Sequence, residues 1–317
     1  MTQTTAPAQS GPVPAIPPAP PLVPERRRRW LPEGNPLKNA IYILLLLGCT
    51  VIFVYPFLWA VSASLKPREE VFDNKLIPEH WQFSNYLDVF RGTPEVGYVA
   101  PFGRWFWNSM YIGVLAAVTV TVSSALVAFA FAYFRFPLRN FLFACVLATM
   151  MLPGAVTMIP VYLIWNHFNL TGTQYPLWAQ NLFGSAFYIF LLRQFFLGIP
   201  RELFEASRMD GDNYFSMFWR IAVPLAWPAL IVTAVFEFKA NWTEFMKPLI
   251  YLRDDDQYTL PRGLKNMLDL FGPSAGGHGD YQIVMAGLVL ATIPMIIIFF
   301  LGQRYFVEGI ATQGRKG

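Results

Sequence analysis

Cysteine, histidine and charge are scarce in this chain. Its 317 residues hold two cysteines and three histidines, and only 14% are Asp, Glu, Lys or Arg. Cys49 and Cys145 both lie inside apolar runs, with no CxxC pair, so neither a disulfide framework nor a zinc site is expected and both read as small lipid-buried hydrophobes. His80, His167 and His278 stand alone without ligand spacing, which leaves no metal site. A Gly-rich phosphate loop ending in Gly-Lys-Ser/Thr is missing too, so the chain is not an ATPase. What it has instead is 55% hydrophobic residues gathered into long uncharged runs, a distribution that fits a polytopic membrane protein and not a soluble domain with one anchor. The net charge of +4 then marks one membrane face and does not point to nucleic acid.

Ten of the 26 prolines fall in the first 36 residues, so residues 1–36 read as a disordered, cytoplasmic Pro-rich tail ahead of a domain covering 37–317. Arg26, Arg27, Arg28 and Arg29 form a basic anchor before the first apolar run. Uncharged stretches place spans at 39–65 and 105–134, two more within 140–192 around a polar turn at 166–173, one opening at 221–236 and continuing through Glu237, Lys239 and Glu244, and a last at 281–303. The fold class expected is therefore all-α with six transmembrane helices. With both termini in the cytoplasm, inside segments carry 14 basic residues against seven acidic, and outside segments nine against eleven.

The segment 198–224 is unusual for a loop. Pro200 is placed to start a short helix, Glu202 suits its first turn, and Gly211 is placed to end it. Asp212 or Asn213 can cap a second helix running toward Pro224. Phe204, Met209, Tyr214, Phe215, Phe218 and Trp219 give it an apolar load that suits either a docking surface for a cytosolic protein or a hairpin lying on lipid headgroups.

Glu205-Ala206-Ser207, Asp210-Gly211 and, after nine residues, Ile221-Ala222-Val223-Pro224 closely resemble the EAA loop of permease subunits of ATP-binding-cassette importers. Ser207 and Asp212 stand where that family commonly has alanine, and Val223 replaces a leucine. Over residues 38–317 the chain resembles the smaller permease of maltose-type carbohydrate importers, with further likeness at Asn108-Ser109, Leu152-Pro153, Ile159-Pro160, Trp242-Thr243-Glu244-Phe245, Pro248-Leu249, Thr259-Leu260-Pro261 and Lys316-Gly317. The resemblance implies a type I importer permease fold in the bacterial or archaeal inner membrane. It implies as partners a second six-span permease, an ATPase dimer that binds ATP-Mg, and an extracytoplasmic solute-binding protein. It further implies a coupling helix after Pro200 carrying Glu205, Ala206, Ser207, Asp210 and Gly211, with Ile221 and Pro224 beyond, and a terminal tail, Gly314, Lys316 and Gly317, that reaches the ATPases. No cofactor of its own is expected in this chain.

Within the fifth span, Glu237, Asn241 and Glu244 fall at i, i+4 and i+7 and share a helical face. Ionisable groups in lipid normally face a polar cavity or a partner helix. Asn241, Trp242 and Glu244 are accordingly candidates for a sugar path, the alternative being a structural polar contact to the second permease. The outside loops, 66–104 and 247–280, would meet the solute-binding protein, with Gly272, Gly276, Gly277 and Gly279 loosening the second. An ion-coupled transporter or channel, using the charges of span five as a relay, is the rival class. It needs no aromatic hairpin.

Overall fold

The computed structural model describes the backbone of residues 36–73, 75–91, 100–271 and 279–313, with side chains up to residue 303. The Pro-rich tail, Gly272, Gly276, Gly277, Gly314, Lys316 and Gly317 lie outside the described residues. Contacts divide the chain into two units, 1–54 and 55–317. In the first, residues 36–54 belong to helix α1 (Pro36–Ser64), apolar on every side as a lipid-embedded helix is. The rest of the described chain belongs to the second.

Every described element is helical. After α1 come α2 (Asn85–Arg91), α3 (Phe102–Tyr133), α4 (Arg139–Thr149), α5 (Gly154–His167), α6 (Tyr175–Trp178), a 3-10 turn (Ala179–Phe183) and α7 (Ala186–Leu197). Then follow α8 (Arg201–Met209), α9 (Tyr214–Met217), a π-turn (Phe218–Ala222), α10 (Val223–Leu225), α11 (Trp227–Trp242), α12 (Met246–Tyr251), α13 (Leu260–Phe271) and α14 (Tyr281–Gln313). Among the described residues three helices alone are long and apolar enough to cross a membrane, and three bent pairs bring the number up to six.

The bends correct the smooth spans expected from hydropathy. α4 and α5 meet at 99°, where Pro153 has no N–H to continue the helix and pushes the residue before it out of helical geometry. The segment opening at residue 221 does not run straight through: Leu225 and Trp227 flank a bend of 81°, with Pro224 and Pro228 on either side. That helix also stops at Trp242, short of the Glu244 that hydropathy had carried it through. The turn at 166–173 is where it was expected, closed by Asn169 and Gly172 at positive φ.

α3 is the axis of the second unit, packing along α7 and α11. Residues 102–117 contribute to one core with Phe238, Trp242, Tyr258, Met267 and Ile283; residues 125–132 contribute to another with Leu192, Phe196, Phe204, Met217 and Phe218. Close approach depends on small residues, since a Cβ on Gly113 would lie 3.0 Å from the Phe238 ring. At the first end, side chains of α3 hold the segment before α13: Trp105 Nε1 donates to the Asp255 carbonyl at 2.6 Å, and Asn108 Nδ2 donates to those of Asp256 and Tyr258 at 2.9 Å each. Ser109 Oγ accepts from the Leu260 N–H at 2.7 Å. Asn108-Ser109 and Thr259-Leu260-Pro261, far apart in sequence, are thus two sides of one joint.

The segment after α1 is tied down as well. Lys66, only 1% exposed, pairs with Asp73 and donates to the Lys75 carbonyl. Asn85 Nδ2 closes the same loop onto the Ser64 and Lys66 carbonyls at 2.9 Å each. Burying an ammonium is tolerable because its hydrogen bonds are met.

Candidate functional site: the helix–turn–helix arm at residues 198–225

Pro200, with backbone angles outside the helical region, precedes α8, and Glu202 lies in its first turn, where a carboxylate favours the helix dipole. The nine-residue helix buries Phe204 and Ser207 and exposes Leu203, Glu205, Ala206 and Met209, the last at 86%. Its buried side meets aromatics on α3: the Phe204 ring lies 4.9 Å from Tyr133 and 5.9 Å from Phe129 between centroids. Tyr214 stacks edge-on against Phe134 at 4.9 Å, bringing the second helix onto the same end of α3.

α8 ends in a Schellman motif. Asp210 is its C-cap, the Asp212 N–H donates to the Ser207 carbonyl at 3.1 Å and the Gly211 N–H to the Arg208 carbonyl at 3.2 Å. Gly211 sits at φ +88°, the left-handed region where glycine bears no Cβ penalty. Asn213 then caps α9, its Oδ1 accepting from the Ser216 N–H at 2.8 Å. Ile221 and Ala222 lie in the π-turn, which accommodates the missing N–H of Pro224.

Asp212 does more than a cap would. Its Oδ2 accepts from Ser207 Oγ and its Oδ1 from Ser216 Oγ, each at 2.7 Å, while Arg220 approaches Oδ1 at 3.3 Å. One carboxylate therefore clasps the last turn of α8 to the first of α9. The sequence held a signal for it: Ser207 and Asp212 are the two places where alanine is usual in the resembling family, and they are bonded to each other. The hydrogen bonds from Ser216 and Ser207 hold the Asp212 carboxyl below the usual Asp range. A folded pKa below the unfolded one contributes stability above the unfolded pKa that is lost as pH falls through the folded one. Protection of the 207–217 amides from hydrogen exchange should thus be full above the ordinary Asp pKa and fall progressively as pH drops from there through the folded pKa, with no such acid loss in Asp212→Asn; protection that does not change across that window in the wild type would refute the clasp.

The second group of expected residues is divided by the structure. Glu237 and Asn241 share a face of α11: Glu237 Oε1 accepts from Asn241 Nδ2 at 2.8 Å and from Asn181 Nδ2 at 3.0 Å. Glu244 does not join them. It lies past the end of α11, where its Oε1 accepts from the N–H groups of Met246 and Lys247 at 2.9 and 3.3 Å and starts α12. Trp242 is a packing residue, 3% exposed, stacked on Phe238 and donating to the Ala291 carbonyl at 3.2 Å, so it has no ring face to offer a solute. Asn181 was not anticipated. It belongs to the 3-10 turn between α6 and α7, which is also held from α3 by Ser123 Oγ to the Asn181 carbonyl and by Ser124 Oγ accepting from the Ser185 N–H at 3.0 Å. Among the described residues no three His, Cys, Asp or Glu side chains cluster as a metal cage requires.

The helical fold is shared with a solved structure: a crystal structure of a bacterial ABC transporter involved in the import of the acidic polysaccharide alginate matches with a TM-score of 0.74 at 24% identity, covering 87% of this chain and all of that one. Residues 121–312 match the family described as binding-protein-dependent transport system inner membrane component, and the chain belongs to that family. It is a multi-pass inner-membrane permease subunit and not itself an enzyme. The arabinooligosaccharides transport system permease protein AraQ of Bacillus subtilis is 32% identical, over 91% of this chain and 99% of its own. The sn-glycerol-3-phosphate transport system permease protein UgpE of Brucella abortus is also 32% identical, over 88% and 98%. The diacetylchitobiose uptake system permease protein NgcG of Streptomyces coelicolor is 28% identical, over 87% and 88%.

Proposed function

We propose that the chain forms half of the translocation pathway of an ATP-driven carbohydrate importer and takes up the force of ATP hydrolysis through the arm 198–224. The observation that carries this reading is the arm's two-sidedness. α8 turns Leu203, Glu205, Ala206 and Met209 outward, while Phe204 is locked into the aromatic end of α3. A helix of this length is about 13 Å long, enough to seat in a cleft of a cytosolic ATPase subunit. Glu205 is the group for a basic residue there, and Ile221 and Pro224 set the return into the membrane.

The arm then lies in the cytoplasm with both termini, as the basic excess of those segments favours. The other partners are a second six-span permease, a paired ATPase that binds ATP-Mg, a solute-binding protein on the far side and membrane lipid, with Gly314, Lys316 and Gly317 toward the ATPases. A carbohydrate cargo agrees with the printed names of AraQ and NgcG. Glu237 holds the 3-10 turn between α6 and α7 through Asn181 while accepting from Asn241, which argues against an ion relay through Glu237: both amides that reach it are donors fixed on its oxygen. Tagged protein extracted from its native membrane in mild detergent should bring along a second permease and a phosphate-loop ATPase, and Glu205→Ala should lose the ATPase selectively. Wild type emerging alone and stable would sink the reading.

A further inference from the structure

Three arginines gather where α3 turns into α4. Arg135 and Arg139 line a cavity of about 550 Å³ formed by residues 135–141. Arg139 Nη1 donates to the Phe134 carbonyl at 3.2 Å, and Arg193 of α7 donates through Nε to the Phe131 carbonyl at 3.4 Å. The Arg193 guanidinium lies 4.2 Å from the centre of the Phe143 ring, one turn along α4 from Arg139. Both guanidinium groups are thus fixed on carbonyls at the end of α3, each with one of its five N–H groups engaged. Arg135 is exposed and has no partner among the described residues. No carboxylate answers this charge, since α3, α4, α7 and the turn itself contain no Asp or Glu.

The turn joins α3, which is long enough to cross a membrane, to α4, the first half of a bent span, so it lies at headgroup depth. Leu138 sits at φ +61°, in the left-handed region that a bulky side chain rarely enters, and is exposed there. Phe141 and Leu142 follow on α4, also exposed. Exposed apolar groups next to uncompensated guanidinium groups match an amphiphile whose head is an anion. A soluble acidic partner would use the arginines and leave Leu138, Phe141 and Leu142 in water. Guanidinium groups bind phosphate oxygens through paired hydrogen bonds, and basic pockets between membrane helices hold anionic lipid headgroups.

We infer that Arg135, Arg139 and Arg193 bind the phosphate of an anionic phospholipid such as phosphatidylglycerol, whose acyl chains run over Leu138, Phe141 and Leu142. The inference goes beyond the transport reading and depends on neither the cargo nor the ATPase. A lipid held there ties the leaflet to the same end of α3 that grips α8 through Phe129 and Tyr133.

The test uses the protein as extracted in mild detergent, with the subunits that accompany it. Native mass spectrometry counts bound lipid as the protein is titrated with phosphatidylglycerol, and with phosphatidylcholine as the zwitterionic reference. Wild type should bind phosphatidylglycerol about tenfold more tightly than phosphatidylcholine. A basic residue beside anionic lipid is worth about fivefold in affinity. Arg135→Gln, which breaks no bond within the chain, should therefore lose about fivefold, Arg135→Gln combined with Arg139→Gln more than roughly tenfold, and Arg135→Lys little. The deacylated headgroup, glycerophosphoglycerol, and inorganic phosphate should fail to displace the lipid; displacement by either at the lipid's own concentration would make this a site for soluble anions and overturn the lipid assignment. Equal affinity for the two lipids, or wild-type affinity in both glutamine variants, would overturn it as well. So would release of an accompanying subunit from those variants with the lipid retained, which would mark a protein contact.

Discussion

Gly211→Pro is expected to uncouple the permease, cutting ATP-driven uptake by more than roughly tenfold at unchanged membrane insertion, since 1.4 kcal/mol already corresponds to tenfold. The reason is backbone and not volume. A Cβ at Gly211 would meet nothing within 4 Å, but the residue sits at φ +88° and its N–H donates to the Arg208 carbonyl. Proline fixes φ near −65° and has no N–H, so both the turn and that hydrogen bond are lost, at a cost of about 3 kcal/mol. The Asp212 clasp would then be asked to join two helices no longer pointing at one another. Gly211→Asn is the control, because asparagine enters the left-handed region with little penalty and should keep most uptake. Uptake and ATP hydrolysis measured on the same proteoliposomes decide it: equal activity of the proline and asparagine variants would remove the turn from the coupling argument.

Gly263→Ala should be the most destabilising single methyl among the described glycines. An added Cβ would lie 2.2 Å from Trp105 Cδ2 and Cε3, and Trp105 is fully buried with its Nε1 on the Asp255 carbonyl. The ring has to move, which costs about 1–3 kcal/mol in overpacking. Its hydrogen bond goes with it, for about 1 kcal/mol more. Thermal unfolding in detergent should show a midpoint lower by several degrees. Trp105→Leu in the same chain should recover part of that loss while the single Trp105→Leu variant loses stability on its own; additive losses would show that the two residues do not meet.

The spans were legible because charge is excluded from lipid, so uncharged runs of sufficient length announce themselves. The arm was legible because Pro200, Gly211 and Asn213 act locally, through φ, caps and missing donors. What hydropathy could not show were the breaks. Glu244 matches the i, i+4, i+7 pattern with Glu237 and Asn241, yet its side chain takes the N–H groups ahead of it and begins a new helix. That competition is decided by the fold around it, not by spacing. Trp242 likewise has the composition of a sugar-stacking residue but is consumed by Phe238 and Ala291. The joint of Trp105, Asn108 and Ser109 with residues 255–260 connects positions about 150 apart, which no local pattern encodes.

Of the three described helices long and apolar enough to cross a membrane, α1 carries Pro56 and α14 carries Pro294 in its interior, whereas α3 carries none: 32 residues run unbroken from Phe102 to Tyr133. At 1.5 Å per residue it is a stiff rod of about 48 Å. One end grips α8 through Phe129 and Tyr133, and the other grips the segment before α13 through Trp105, Asn108 and Ser109. Spans with breaks behave as hinges; this one behaves as a push-rod. Under the proposed coupling, a push on the arm at one end would be carried along this rod to residues 255–260 at the other, without any side chain between having to change partners.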